Sequence, residues 1–218
     1  MRECPLCQFP RSRLFHTRKD RAGQREFFLC SVCDLVFVPA EFHLDAGAQR
    51  ERYLEHNNDP DDPDYRNFLS RLSDELVPYL QPGARGLDYG AGPGPALAKM
   101  MREQGFDMNI YDPYFHPNES ALDSRYDFIT CTETAEHFSR PGEEFDRFQS
   151  MLEPSGWLGV MTGMLSTWDK FPDWYYHRDP THISFYSQKT MQWIADHGPW
   201  RAVYPRNNVV LFQKLDSA

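Results

Sequence analysis

The longest apolar runs in the 218-residue chain, such as Leu35–Pro39 and Trp157–Thr162, span only five or six residues. A membrane-crossing helix needs roughly 20, so none is expected. Behind Met1-Arg2-Glu3-Cys4-Pro5 there is no apolar core of a secretory signal, and the expectation is a soluble, cytoplasmic protein. Internal repeats and low-complexity tracts are also missing. Positive charge is scarce beyond the first thirty residues. Those thirty hold seven Arg or Lys against three acids, so the net charge of −9 leaves the remainder at −13. An acidic body argues against a broad nucleic-acid footprint. The basic head suits either a small phosphate-touching module or a solvated surface.

What is present is enough for one α/β core with a small appendage, since 40% of the residues are apolar and 15% aromatic. Cysteine is used sparingly, but four of the five sit in two pairs, Cys4-Pro5-Leu6-Cys7 and Cys30-Ser31-Val32-Cys33, with 22 residues between them. That spacing suits a zinc ribbon, in which each pair forms a knuckle and four thiolates close a tetrahedral site. Strand-like pieces at Arg13–Thr17, Glu26–Leu29 and Leu35–Val38 fit the ribbon pattern. Two disulfides would need an oxidising compartment, for which no targeting segment is seen. A four-cysteine site leaves no open position for a substrate, so the metal's role is structural. Cys131 falls in an apolar strand and reads as a small buried side chain.

The organisation expected is a zinc ribbon over 1–40, a helical linker or lid over 41–82 and a larger domain over 83–218. The linker reads as a helix over 41–56, an acidic proline-broken loop over 57–64 and a second helix over Tyr65–Leu80. Strands are expected at Gly86–Tyr89, Met108–Tyr111, Phe128–Cys131 and Trp157–Met161, with helices at Pro95–Gln104, Gly142–Leu152 and Gln188–His197 between and after them. Ala202–Pro205 and Asn208–Lys214 read as a terminal hairpin. The fold class is therefore α/β, a Rossmann-like doubly wound sheet with an antiparallel C-terminal hairpin, plus the N-terminal ribbon.

The segment Gly86-Leu87-Asp88-Tyr89-Gly90-Ala91-Gly92-Pro93-Gly94-Pro95 runs from a strand through alternate glycines into a helix. Glycines let a backbone turn sharply and approach a ligand closely. The pattern alone also fits nicotinamide and flavin binders. Asp88 shifts the balance, because a carboxylate there suits the ammonium and sulfonium of S-adenosylmethionine better than a pyrophosphate. Asp112 ends the next strand 18 residues after Gly94, placed to accept ribose hydroxyls.

From residue 83 onward the chain resembles the class I S-adenosylmethionine-dependent methyltransferase family. Leu87–Gly92 is similar to its first motif, Tyr111-Asp112 to its second and Tyr126–Ile129 to its fourth strand. Glu133-Thr134-Ala135-Glu136-His137 resembles the E-x-x-E-H of one large subgroup. Leu152–Leu158 resembles the turn into strand five, and His182–Ser187 a late segment of that subgroup. Members with two CxxC pairs at the head, some of them sugar C-methyltransferases, resemble the whole chain, Tyr53 and Tyr65 included. Residues 113–125 leave little room for the family's third strand. The resemblance implies cofactor contacts at Asp88, Gly90, Ala91, Gly92, Gly94, Asp112, Pro113, Thr132 and Glu133, and catalytic roles for Glu136, His137 and His182.

His137 follows Glu136 just past a strand's carboxyl end, where open sheets place their sites. It reads as a general base, or as a residue that caps a short helix or packs on the cofactor. Asp173–His182, with three aromatics, two histidines and Arg178, reads as a substrate-closing segment or as a packed loop. Tyr53, Tyr65 and the acids at 59–64 read as a lid or as a solvated linker. Three functions follow from these features. The first is a methyltransferase acting on a small molecule, the second an RNA methyltransferase gripping nucleic acid with the basic ribbon, the third a non-catalytic adaptor.

Overall fold

The computed structural model describes residues 1–20, 23–55 and 58–216. His56 and Asn57, part of the expected first helix and acidic loop, lie outside the described residues. In chain order come β1 (Arg13–Asp20), β2 (Gly23–Leu29), β3 (Val36–Phe37), α1 (Ala46–Leu54), α2 (Pro63–Leu76), β4 (Arg85–Tyr89), α3 (Ala96–Glu103), β5 (Asp107–Tyr111) and β6 (Tyr126–Thr132). They are followed by α4 (Pro141–Met151), β7 (Leu152–Met161), β8 (Met164–Leu165), β9 (Ser184–Ser187), α5 (Gln188–His197), β10 (Trp200–Arg206) and β11 (Val209–Lys214).

The main sheet has the order β10-β11-β7-β6-β4-β5. β4, β5, β6 and β7 run parallel, and β11 and β10 close one edge as an antiparallel pair. The fold is thus the expected α/β sheet with its antiparallel hairpin. Outside β5, residues 113–125 form a turn bridged from Asp112 to His116 and a short 3-10 helix at Glu119–Ala121, and no strand lies there among the described residues.

Each face of the sheet buries its own helices, as a parallel sheet requires. On one face Leu69, Leu72 and Leu76 of α2 join Leu97 and Met101 of α3 over Phe128, Trp157 and Leu211. Gly159 permits this approach, since a Cβ there would stand 2.9 Å from Leu72. On the other face Phe145 and Phe148 of α4 and Met191 and Ile194 of α5 pack over Ile129, Leu158 and Val210. The cysteines Cys4, Cys30 and Cys33 belong to this same cluster, with Leu35 and Phe37.

The ribbon is fused to the body by backbone pairing. The second sheet has the order β1-β2-β3-β9-β8, with Val36 opposite Phe185 and Phe37 opposite Ser184. Asp34, just after the ribbon's fourth cysteine, accepts from Trp168 Nε1 at 2.9 Å and from the Ser187 hydroxyl. Ser187 is also the N-cap of α5, where it forms a capping box with Thr190.

Local chemistry moves several boundaries from where the sequence puts them. The expected 41–56 helix is broken into a 3-10 turn at Ala40–Phe42 and α1, because Asp45 is extended and caps Ala48. The second helix starts earlier, at Pro63 behind its cap Asp62, and gives way to a 3-10 turn at Val77–Tyr79 that contains Pro78. β7 reaches back to Leu152 across a bend in which Ser155 takes φ 59°. β8 and β9 are not among the strands expected. They belong to the ribbon's sheet, so short-range pattern alone carries little sign of them.

Candidate functional site

Three backbone donors of the glycine loop after β4 are engaged within the protein. The amides of Gly90 and Ala91 donate to the Tyr111 carbonyl at 2.8 and 3.1 Å, and that of Gly92 to Asp112 Oδ2 at 3.0 Å. Gly90 and Gly92 hold φ +77° and +64°, left-handed values that glycine adopts without strain. A Cβ on Gly92 would meet nothing within 4 Å, so this turn faces open space. A Cβ on Gly94 would instead strike the Asn58 carbonyl at 1.9 Å, because the segment leading into α2 seats directly on the loop. Asp61 pairs with Lys99 of α3 and helps hold it there.

Asp88 and Asp112 are buried at the ends of β4 and β5. Asp88 accepts from the Thr130 hydroxyl at 2.8 Å, and burial pushes its carboxyl up to about 6. Asp112 Oδ1 accepts from the amides of Tyr114 and Phe115 at 2.8 and 3.0 Å. Its carboxylate therefore organises the loop as well as facing it. The Thr132 hydroxyl, at the end of β6, is buried without a partner. Pro113 is exposed.

β6 runs into a tight turn at Glu133, whose φ of 47° is strained for a side-chain-bearing residue. The 3-10 helix Ala135–His137 then turns Glu136 fully inward. Its two oxygens accept from the hydroxyls of Tyr176 and, at 2.8 Å, of Thr162. Tyr176 also reaches Glu133 Oε2 at 3.3 Å. Burial, with the Glu136 charge beside it, pushes Glu133 up to about 9, so it is protonated at neutral pH.

His137 Nδ1 bonds the Thr181 carbonyl at 3.0 Å, and His182 Nδ1 bonds the Tyr176 carbonyl at 2.8 Å. A carbonyl only accepts, so each Nδ1 carries a proton, and in the neutral form of either ring the lone pair sits on Nε2. The rings meet edge to face at 5.0 Å, and burial holds His182 down to about 4. One ligand atom each of Glu136, His137 and His182 lies within 4.8 Å of the others. The three predicted catalytic residues therefore do come together, in a donor set that can accept a proton or hold a divalent cation.

α1 and α2 border this cluster. The Tyr53 ring stands 5.0 Å from His137 and 5.5 Å from Tyr114, and Gln49 Oε1 accepts from the Tyr114 hydroxyl at 3.0 Å. Burial pushes Tyr65 up to about 12, and the charges of Asp88 and Glu133 add to the effect. The segment 173–182 divides. Tyr176, Asp179, Thr181 and His182 serve the cluster, whereas Trp174 and His177 pack into the ribbon-side core and Arg178 and Tyr175 are exposed. Thr162, Gln49, Arg52 and Tyr114 carry no sequence signal, because each acquires its place only through tertiary packing.

The four paired cysteines form the other cluster. Their sulfurs lie within 4.8 Å of one another, with Cys4–Cys33 at 3.4 Å and Cys7–Cys30 at 3.5 Å. Four thiolates at ~2.3 Å from a tetrahedral zinc stand about 3.8 Å apart, so the donor set fits that ion. The two knuckles repeat one geometry. Gln8 and Asp34, each following the second cysteine, take φ 59° and 61° and donate their amides to the carbonyls of Cys4 and Cys30. A cleft of about 1170 Å³ lies between this ribbon and α4 and α5, and none of Asp88, Asp112, Glu133 and Glu136 lines it.

Residues 61–198 match a family model described as a methyltransferase domain. No curated protein matches the sequence. Among solved structures, the chain is similar to the Burkholderia thailandensis 1,6-didemethyltoxoflavin-N1-methyltransferase, bound to 1,6-didemethyltoxoflavin and S-adenosylhomocysteine. The TM-score is 0.53 and the identity 16%, over 84% of this chain and 96% of that one. A Galdieria sulphuraria protein assigned as a sarcosine dimethylglycine methyltransferase gives a TM-score of 0.51 at 16% identity, over 69% and 86%. At these identities the likeness concerns the fold.

A carboxyl whose folded value lies above its unfolded one binds its proton more tightly when folded, so stability falls as pH rises between the two values. For Glu133 that window runs from the ordinary glutamate value of 4.5 to about 9. Glu133→Gln is therefore expected to flatten the decline in urea-unfolding stability between pH 5 and 9, and to match or exceed the wild type at pH 8.

Proposed function

The chain belongs to the methyltransferase-domain family, and from that premise we propose that it methylates a small-molecule acceptor held beside His137, using S-adenosylmethionine. The observation that carries the cofactor is the internal bonding of the glycine loop. The amides of Gly90, Ala91 and Gly92 all donate to Tyr111 and Asp112, so these three N–H groups are not free to cradle a pyrophosphate. Buried carboxylates at Asp88 and Asp112 suit a cationic ligand with hydroxyls, and the Thr132 hydroxyl has a bond to give. In this reading Gly90, Ala91 and Gly92 approach the cofactor through the open turn, and Gly94, Pro113 and Glu133 are assigned to it by their place in the same loops.

When bound, the sulfonium supplies a methyl group for in-line displacement. The protein's share is to position the acceptor and remove its proton. His137 takes that proton on Nε2, while the Thr181 carbonyl keeps its Nδ1 protonated and Glu136 supports the resulting charge. His182 stays neutral beside it. Tyr53 and Tyr65 close the site from the lid side. Cys4, Cys7, Cys30 and Cys33 hold a structural zinc whose binding contributes folding free energy to a segment with little core of its own. The acidic body favours a small acceptor over nucleic acid. No helix among the described residues is long and apolar enough to cross a membrane.

Calorimetry with S-adenosylmethionine on the zinc-loaded protein tests the reading. Micromolar-range affinity is expected, weakened about 10- to 100-fold by Asp112→Ala. Because Asp88 titrates near 6 and a cation favours its carboxylate, affinity should rise with pH through that value, with proton release on binding below it. No binding by the folded wild type contradicts the proposal and favours an adaptor.

The donor spacing supports a second reading of acceptor activation. Two imidazoles locked through Nδ1 beside a buried carboxylate are also the way proteins prepare a divalent-cation site. Under the base reading, the zinc-loaded protein leaves the electron paramagnetic resonance signal of added Mn²⁺ unchanged. Loss of that signal with wild type, and its return with His182→Ala, would select the cation.

A further inference from the structure

One ribbon side chain, that of Arg25, reaches the main chain of the segment that holds the site. Arg25 of β2 extends its guanidinium across the sheet boundary and donates to three main-chain carbonyls: His177 at 3.4 Å, Asp179 at 2.9 Å and His182 at 2.6 Å. Its stem lies by the Phe27 ring, with the guanidinium carbon 5.2 Å from the centroid. A planar fork with five N–H groups can bridge several carbonyls at fixed angles, which a single ammonium cannot do.

The same short segment holds His137 and contains His182. Thr181 O fixes His137 Nδ1, the His182 amide donates to Asp179 O, and the Ile183 amide donates to Glu136 O at 2.8 Å. From the opposite side, Arg52 of α1 grips Asp179 Oδ2 at 2.7 and 3.0 Å, while Asp179 Oδ1 accepts from the Thr181 amide and hydroxyl. Burial alone would raise the Asp179 carboxyl. The bonds from Arg52 and Thr181 outweigh it and hold the group well below the carboxylate range. Residues 177–182 are therefore clamped between an arginine of the ribbon and an arginine of the lid helix.

We propose that Arg25 is a positioning residue. Through the carbonyls of His177, Asp179 and His182 it sets the tautomer and orientation of His137 and His182, which makes the ribbon part of the framework of the active centre. The chemical use of those rings rests on the function proposed above, but their geometry does not. Loss of the clamp lets residues 177–182 drift from the 3-10 helix at 135–137. The Thr181 carbonyl then leaves His137, and the ring proton is free to redistribute between Nδ1 and Nε2.

The test uses the full zinc-loaded chain and needs no acceptor. Histidine ring ¹⁵N spectra and amide exchange are recorded for wild type, Arg25→Met and Arg25→Lys, with zinc content and S-adenosylmethionine affinity measured alongside. Arg25→Met preserves the stem against Phe27 and removes the fork. The expected result is a mixed His137 tautomer and at least about tenfold faster exchange at the Thr181, His182 and Ile183 amides, with zinc retained and cofactor affinity within about twofold. Arg25→Lys should recover part of the exchange protection but not the single tautomer. Unchanged histidine spectra and exchange in Arg25→Met overturn the proposal. If Arg25→Met loses zinc, Arg25→Lys decides alone, and a wild-type tautomer there is equally contrary. Failure of every variant and the wild type to bind cofactor would refute the proposed function, while the spectra alone would still decide the role of Arg25.

Discussion

Two backbone pairings, Val36 with Phe185 and Phe37 with Ser184, join the cysteine ribbon to the strand that closely follows His182. Without them β9 would be a two-residue ladder on β8 and the ribbon a 40-residue piece with hardly a core. With them, one sheet runs from the cysteine knuckles to the edge of the site. Asp34 reinforces the join by bonding Ser187 and Trp168 next to Cys33. A four-thiolate zinc site of the kind proposed for these cysteines would be a rigid anchor, and this edge of the site would then share its stiffness.

The site itself is an arrangement of buried acids around a few hydroxyls and imidazoles. Glu136 is wholly enclosed, and its two oxygens accept from the hydroxyls of Tyr176 and Thr162. Glu133 next to it responds by keeping its proton. Asp88 and Asp112 flank the glycine turn and complete a region where negative charge is concentrated and desolvated. Such a region attracts a cation and penalises an anion. The proposed preference for a sulfonium-bearing cofactor over a dinucleotide thus rests on charge as well as on the engaged amides of Gly90, Ala91 and Gly92.

Much of this was legible in the sequence because it is local. The strand, alternating glycines and helix around Asp88, the acid closing β5, the two cysteine pairs and the run Glu133–His137 each occupy nearby residues, and the α/β order follows from apolar periodicity. The join between ribbon and body was not legible, since β3 and β9 lie far apart in the chain and β9 is only four residues long. Asp179 illustrates the same limit. In the sequence it is one acid in a dense segment, and only packing shows it gripped by Arg52, 127 residues away. Arg178, beside it, carries the more suggestive charge and turns out to face solvent.

If the proposed function holds, cofactor and acceptor meet at the carboxyl ends of β4 to β7, between the glycine loop and the His137 cluster. Backbone amide shifts on titration with S-adenosylhomocysteine test that meeting point most directly. Perturbations are expected at residues 88–94, 112 and 132–137, with little change in the broad cleft around Trp193 and Trp200. Shifts concentrated in that cleft, or none anywhere in a folded zinc-loaded protein, would contradict it.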